Sequence, residues 1–392
     1  MNNILRKINF GIVGATGFVA IAHINGLKSN ENANIAAAYG RNFEVLRRRC
    51  GEWGIKKLYT DYNDLLKDKE VEVIDILTPP FLHKEMTVAA AEAGKHVIVE
   101  KPMCRSIEEA NEMIKAAKKN GVKLMVAESY VFTTSHMRAR ELINEGMIGE
   151  PMQVRQSKGL WLRRQMIEHR PLRSVSTSKE EIHWRVHPEK SGGGDYPWFM
   201  DHAVHFFALA RYLMKDMAIG KIFAMSRSFS REYQGRKVSH KDIPVVTWEY
   251  KDRERYGTWT RVDESIPAFD YLGFRTVVNG TDGVIEVLGE GGGVATSGYK
   301  TPPLILHTKG KTTQFRINES PDRVWVSEVN YYDQAHTNEL NHFIQCLLED
   351  KEPRYTGENG KRDIQYTLAA IKSAMENRPV DPDSIQENWT AY

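Results

Sequence analysis

Apolar positions in the first third of the chain come in short bursts, separated by amphipathic stretches. Ile8-Asn9-Phe10-Gly11-Ile12-Val13 is a β-branched and aromatic run that predicts a first strand. Asn34–Tyr39, Val71–Leu77, the run entered at Lys95-His96 and Lys123–Ala127 repeat the signal. Helical periodicity runs through to Leu27, then over Phe43–Glu52, Phe81–Ala93 and Ser106–Asn120, with a short helix after Tyr59-Thr60-Asp61. Strands alternating with helices predict a parallel, doubly wound α/β sheet that ends near Glu128.

Beyond that point the rhythm changes. Thr134–Asn144 reads as a helix, Gly149-Glu150-Pro151 as punctuation, and Met152–Ser157 as the start of a strand. Leu160–Lys190 has no clean period and reads as a long excursion near a ligand. Ser191-Gly192-Gly193-Gly194 opens a helix-prone stretch through Leu213. β-like runs follow at Ile222–Ser230, Val245–Tyr250, Tyr256–Val262, Thr276–Val278, Val284–Val287 and Pro303–His307, with turns such as Asn279-Gly280 between them. Strands without intervening helices predict an α+β domain with an antiparallel or mixed sheet. Helices over Asp333–Leu348 and Arg362–Met375 close it. The expected division is 1–128 and 129–392.

Composition narrows the function classes. With 392 residues there is room for two cores, and 41% hydrophobic with 27% charged content is that of a soluble globular protein. A net charge of +3 is too small to argue for a nucleic-acid partner. No run is long enough for a membrane span, and Met1–Lys7 lacks an apolar leader core. Cys50, Cys104 and Cys346 are widely spaced and odd in number, which fits a reducing compartment and a cytoplasmic protein.

Candidate chemistry gathers at four places. The run Gly11-x-x-Gly14-x-x-Gly17-x-x-Ala20 lies between the first strand and its helix, where backbone N–H groups can approach a pyrophosphate. Gly14, Thr16, Gly17 and Phe18 of that turn are candidate dinucleotide contacts. The second strand ends in Gly40-Arg41, where such domains usually carry an acid for the ribose 2′-hydroxyl. Losing the carboxylate and gaining a guanidinium favours NADP; the alternative is Arg41 stacking on adenine or facing water. The strand before Glu100-Lys101-Pro102 stops at proline, which cannot donate to a sheet ladder. Glu100 and Lys101 therefore stand at a strand's C-terminal edge, where open α/β sheets bind ligands and a lysine can stabilise negative charge on oxygen. Asp201 and His205 are four apart on an expected helix, hence on one face, and the imidazole can move an alcohol proton. A metal reading of His183, His187, Asp195, Asp201, His202 and His205 competes, but Pro188 disfavours a helix continuing past His187, and no metal is expected.

These residues resemble the glucose–fructose oxidoreductase / inositol dehydrogenase (Gfo/Idh/MocA) family over nearly the whole chain. The likeness is strongest in Thr78-Pro79-Pro80-Phe81-Leu82-His83 and Ala93-Gly94-Lys95-His96-Val97-Ile98-Val99-Glu100-Lys101-Pro102. Glu145–Pro151, and the glycine triplet followed by Asp201-x-x-x-His205, add to it. The triplet stands further from the aspartate than usual, across Asp195-Tyr196-Pro197-Trp198. The resemblance implies an N-terminal Rossmann domain, a C-terminal domain with an open, mostly antiparallel sheet, and a homodimer or homotetramer. It implies a nicotinamide cofactor lying between the domains and hydride transfer at a secondary hydroxyl of a sugar, inositol or glycoside. By carry-over, Lys101 contacts the reacting oxygen, Glu100 shapes the nicotinamide pocket, His205 is the acid/base, and Asp201 orients it or the sugar. Gly14, Gly17, Arg41, Thr78, Pro79 and His83 line the cofactor. Tyr130, Trp161 and Arg163, with Arg164 and Trp184, are candidates for holding a sugar ring. Three other outcomes stay open: a glycosidase using tightly held NAD for transient oxidation and elimination, a cofactor-binding sensor without catalysis, and, on the competing metal reading, a metal-dependent hydrolase.

Overall fold

The computed structural model describes residues 6–17, 19–158, 184–185, 187–233, 236–261, 275–288, 304–315 and 329–392, with side chains of 229–240 and 329–333 excepted. These residues pack as two compact units, one drawn from Met1–Ser129, Val175–Gly192 and Tyr332–Ile364, the other from Tyr130–Ser174, Gly193–Tyr331 and Gln365–Tyr392.

The first unit holds a six-stranded sheet of β1 (Ile8–Val13), β2 (Ala33–Tyr39), β3 (Lys57–Tyr59), β4 (Val73–Ile76), β5 (His96–Glu100) and β6 (Leu124–Ala127). All pairs are parallel and the order is β3-β2-β1-β4-β5-β6. The connecting helices are α1 (Ala20–Lys28), α2 (Phe43–Trp53), α3 (Tyr62–Lys67), α4 (His83–Glu92) and α5 (Ile107–Lys119). Every residue of β4, an inner parallel strand, is buried, and so is every residue of β6, an edge strand whose Val126 N–H meets the Tyr355 carbonyl. Helix starts follow local chemistry: the Asn42 side chain accepts from Val45 N, and that of Ser106 from Glu109 N. Strand order reverses between β1 and its neighbours β2 and β4, so a crevice opens at the carboxyl ends of these strands. Two details depart from expectation. β3 is a three-residue, half-exposed strand with no apolar run to announce it. The helix expected from Phe81 begins as a 3-10 turn, Pro80–Leu82, before α4.

The second unit contains α6 (Thr134–Asn144), α7 (Pro197–Leu213) and an eight-stranded sheet. Its strands are β7 (Pro151–Lys158), β8 (Ile219–Tyr233), β9 (Arg236–Tyr250), β10 (Tyr256–Arg261), β11 (Arg275–Gly280), β12 (Gly283–Leu288), β13 (Leu304–Thr308) and β14 (Lys311–Phe315). The order is β14-β13-β12-β11-β7-β10-β9-β8; β7 and β10 run parallel and the other pairs antiparallel. The sheet is thus mixed and mostly antiparallel. β9 begins nine residues before the expected Val245, because Pro244 falls where the β8–β9 register shifts, between the pairs Met225↔Val245 and Arg227↔Asp242. A bulge excuses the missing N–H. The polar β14 was not expected, and pairs with β13 across a tight turn. Trp259 of β10 is 1% exposed and stacks on Phe206 and Phe199 of α7, with ring centres 4.3 and 5.3 Å apart.

Two helices follow, α8 (Val329–Leu348) and α9 (Gly357–Glu376). α8 lies close along α1: a Cβ added to Gly26 would sit 2.9 Å from Leu340 Cδ1 and 3.2 Å from Thr337 Cα. Past α8, Val126 N at the end of the first sheet donates to Tyr355 O at 2.9 Å. No helix among the described residues is long and apolar enough to cross a membrane.

Candidate active site

Gly14 follows β1 with φ +88, and its N–H donates to Tyr39 O at 3.2 Å. A Cβ there would meet the Leu77 carbonyl oxygen at 2.9 Å. Only glycine fits this cradle, which leaves backbone on both sides open to a ligand. α1 then starts with no side-chain cap and no acid in its first turn. Its free N–H groups and positive end suit a pyrophosphate, so the turn fits a dinucleotide. Thr16 and Gly17 are half-buried beside it; Phe18 lies outside the described residues. Gly40 N donates to Tyr59 O at 3.1 Å, and Arg41 is exposed just before the cap of α2. Thr78 and Pro79, half-buried, follow β4. His83 is fully buried, with Nε2 2.5 Å from Thr78 O and Nδ1 3.0 Å from Pro102 O. It struts the loops after β4 and β5, and burial holds its ring below the ordinary imidazole value.

β5 delivers Glu100 and Lys101 to the same sheet edge, followed by a cis Lys101–Pro102 bond. Lys101 is half-buried. Glu100 is 7% exposed, and its side chain meets a cluster that sequence reading missed. His23 of α1 donates from Nδ1 to Asp75 Oδ2 of β4 at 3.0 Å. Its Nε2 lies 3.5 Å from Glu100 Oε1 and 3.7 Å from Glu339 Oε1 of α8. His336, one turn before Glu339, donates from Nδ1 to Glu339 Oε1 at 2.5 Å. Burial disfavours charge on His23, but Asp75, Glu100 and Glu339 outweigh it and raise the imidazole well above its ordinary value. Burial likewise opposes the Glu100 anion, yet His23, His336 and Lys101 pull its carboxyl down to about 2. Glu339 goes the other way: burial, with Glu100, Glu128 and Asp75 nearby, raises it well above the carboxylate range. The signal in the sequence was Asp75, a charge inside the apolar run Val73-Ile74-Asp75-Ile76.

In the second unit, Asp201 and His205 lie one turn apart on α7, each 8% exposed. Tyr130 lies flat on the His205 ring, 4.3 Å between centres and 12° between planes, and meets Phe206 edge-on. The Tyr130 carbonyl accepts from His136 Nδ1 at 2.8 Å; burial holds His136 down at about 4, a neutral strut. His202 stacks on Trp198 and stands 4.0 Å from Asp201. Trp161, Arg163, Arg164 and His183 lie outside the described residues; Trp184 is covered by the Arg185 guanidinium at 4.3 Å. Of the competing metal set, His187 has extended backbone before Pro188, and Asp195 pairs with Lys241 at 3.0 Å.

Comparison with known proteins covers both units. A family model described as "Oxidoreductase family, NAD-binding Rossmann fold" matches residues 8–128. Its companion, "Oxidoreductase family, C-terminal alpha/beta domain", matches residues 140–381. Myo-inositol 2-dehydrogenase of Thermotoga maritima is 25% identical over 378 residues, 96% of this chain and 99% of the relative. 1,5-Anhydro-D-fructose reductase of Ensifer adhaerens is 29% identical over 380 residues, 97% and 96% of the two chains. A solved levoglucosan dehydrogenase in complex with NADH and levoglucosan superposes with a TM-score of 0.76 at 21% identity, covering 96% of this chain and 99% of that one.

Proposed function

The chain belongs to the Gfo/Idh/MocA oxidoreductase family and is a nicotinamide-dependent oxidoreductase, and from that premise we propose that its substrate is a sugar, inositol or glycoside with a secondary hydroxyl. Myo-inositol, anhydrofructose and levoglucosan, in the names of relatives, are all polyhydroxylated rings, which supports that class. Residues 1–128 serve as the cofactor domain and 129–392 as the substrate and oligomerisation domain of a cytoplasmic homodimer or homotetramer. Gly14, Thr16, Gly17 and Phe18 hold the pyrophosphate side, and Thr78, Pro79, His83, Glu100 and Lys101 the nicotinamide side. Gly40 and Arg41 favour NADP, because an exposed guanidinium without a neighbouring ribose-binding acid suits a 2′-phosphate.

The nicotinamide, when bound, accepts or returns the hydride. His205 takes the hydroxyl proton on oxidation and returns it on reduction. Asp201, on the same helix face, orients the imidazole or a neighbouring hydroxyl. Lys101 binds the reacting oxygen and stabilises its developing negative charge. Tyr130, Trp161 and Arg163 hold the ring. The observation that carries this reading is the α7 pair, both residues nearly buried, with Tyr130 fixing the plane of the His205 ring. Purified protein is assayed with NAD and NADP against a panel of inositols, aldoses and anhydrosugars, following nicotinamide absorbance. Lys101→Ala and His205→Ala each lose turnover while folding normally. Turnover unchanged in both refutes the site.

A further inference from the structure

Both nitrogens of the His23 ring face acceptor oxygens: Nδ1 meets Asp75 Oδ2 at 3.0 Å, and Nε2 meets Glu100 Oε1 at 3.5 Å and Glu339 Oε1 at 3.7 Å. Every one of these side chains is nine-tenths buried or more. A neutral ring protonated at Nδ1 would aim its Nε2 lone pair at the Glu100 carboxylate in a dry interior, which is repulsive. A positive centre there removes the repulsion. A metal ion is the other way to supply such a centre, since ligand atoms of His23, His336 and Glu339 lie within 4.8 Å of one another, but the Glu339 oxygen nearest His23 already accepts from His336 Nδ1 at 2.5 Å.

We propose that His23 is a positioning residue: held doubly protonated between Asp75 on one side and Glu100 and Glu339 on the other, it clamps the Glu100 carboxylate and thereby fixes the Glu100–Lys101 strand end for the nicotinamide. The inference rests on the reading that this strand end lines the cofactor. Four elements meet at the clamp: α1 with His23, β4 with Asp75, β5 with Glu100 and Lys101 beyond it, and α8 with His336 and Glu339; Glu128, past β6, adds its charge near Glu339. α1 is also the helix whose start faces the pyrophosphate site. The clamp therefore ties that helix to the strand end that meets the other end of the cofactor. Glu339 is held uncharged, so the cation is shared by Asp75 and Glu100 and is not neutralised a third time.

The test is a fluorescence titration with NADH and NADPH, from about pH 6 to about pH 9, on the full chain and on His23→Gln, Glu100→Gln and the double variant. The natural chain binds with affinity flat in pH. His23→Gln removes the cation nearest the buried Glu100 carboxylate, leaving only the more distant His336 and Lys101, so Glu100 takes up a proton more readily and does so in this range. Its affinity falls about tenfold at the low end and recovers as pH rises. The double variant loses that pH dependence and binds like Glu100→Gln alone. If His23→Gln keeps wild-type affinity at every pH, the positioning role is overturned. Nitrogen NMR of histidine-labelled natural protein supplies a readout that needs no variant: one ring stays protonated at both nitrogens up to about pH 8. A wholly neutral set of histidines at neutral pH, or a stoichiometric divalent ion in elemental analysis, overturns the proposal. Lys101→Ala, run alongside, separates the two readings. If it changes neither binding nor turnover, the strand end is not at the nicotinamide and the functional reading fails. If it loses function while His23→Gln does not, only the clamp fails.

Discussion

Replacing Gly14 by alanine adds one methyl group at a place where the structure gives two separate reasons against it. The first is conformational: φ is +88, where an L side chain costs about 1–2 kcal/mol. The second is a collision, with the new Cβ 2.9 Å from Leu77 O and 3.0 Å from Leu77 C. Both are backbone atoms at the end of a strand, so they cannot swing away, and overpacking of this kind costs about 1–3 kcal/mol. The sum is roughly 2–5 kcal/mol. Gly54→Ala is the control: its φ is +75, but nothing lies within 4 Å of the added Cβ, so it carries the first cost alone. Urea melts of the two variants should therefore differ by about 1–3 kcal/mol. If the strain is relieved by the turn opening, the N–H groups move off the pyrophosphate, and affinity for NADH falls about tenfold for each 1.4 kcal/mol lost. Gly14→Ala as stable as Gly54→Ala, with unchanged cofactor affinity, would remove the reason for reading this turn as the cradle.

Acid stability gives a second expectation. The Glu100 carboxyl sits at about 2 against an ordinary 4.5. A lowered folded value contributes stability above the unfolded value, lost as pH falls from about 4.5 to about 2, and worth about 3 kcal/mol here. Glu100→Gln should flatten that acid limb in urea melts taken across pH; an unchanged limb contradicts the assignment. Trp259→Ala should cost about 3–5 kcal/mol and lower kcat, because α7 loses the ring on which Phe199 and Phe206 stack; full kcat in the folded variant means the helix is held by other contacts. Arg41→Ala should weaken NADPH binding about tenfold while NADH binding stays within about twofold, and equal loss for both would assign Arg41 to the adenine instead.

The parallel sheet was legible in the sequence because β1, β4, β5 and β6 are largely buried and appear as short, mostly apolar runs between helical stretches. The strand end at Glu100-Lys101 and the Asp201/His205 pair were legible because each is a local pattern: a proline stop in one case, a four-residue spacing in the other. β3 and β14 escaped because their stability comes from pairing with β2 and β13 and not from their own apolar content. The start of β9 escaped because a proline in a strand ordinarily ends it, and only the register shows the bulge that admits Pro244. The His23 cluster escaped for a different reason. Its members lie on α1, β4, β5 and α8, more than three hundred residues apart at the extremes, and no spacing rule joins them.

That separation has a consequence for how the chain is made. The first unit is not a contiguous piece of sequence, since Tyr332–Ile364 belong to it. When Glu128 leaves the ribosome, the six parallel strands are all present, but α8 and the backbone carbonyl of Tyr355 are about two hundred residues away. At about 5–20 residues per second, that is on the order of ten to forty seconds. Throughout that interval the flank of α1 around Gly26 is bare, and Val126 lacks the carbonyl that its N–H meets in the finished fold. The nascent chain therefore passes through a period of exposed apolar surface in which it is a natural client for a chaperone. Termination of synthesis between Glu128 and α8 leaves the first sheet with every strand present but without the helix that packs on α1.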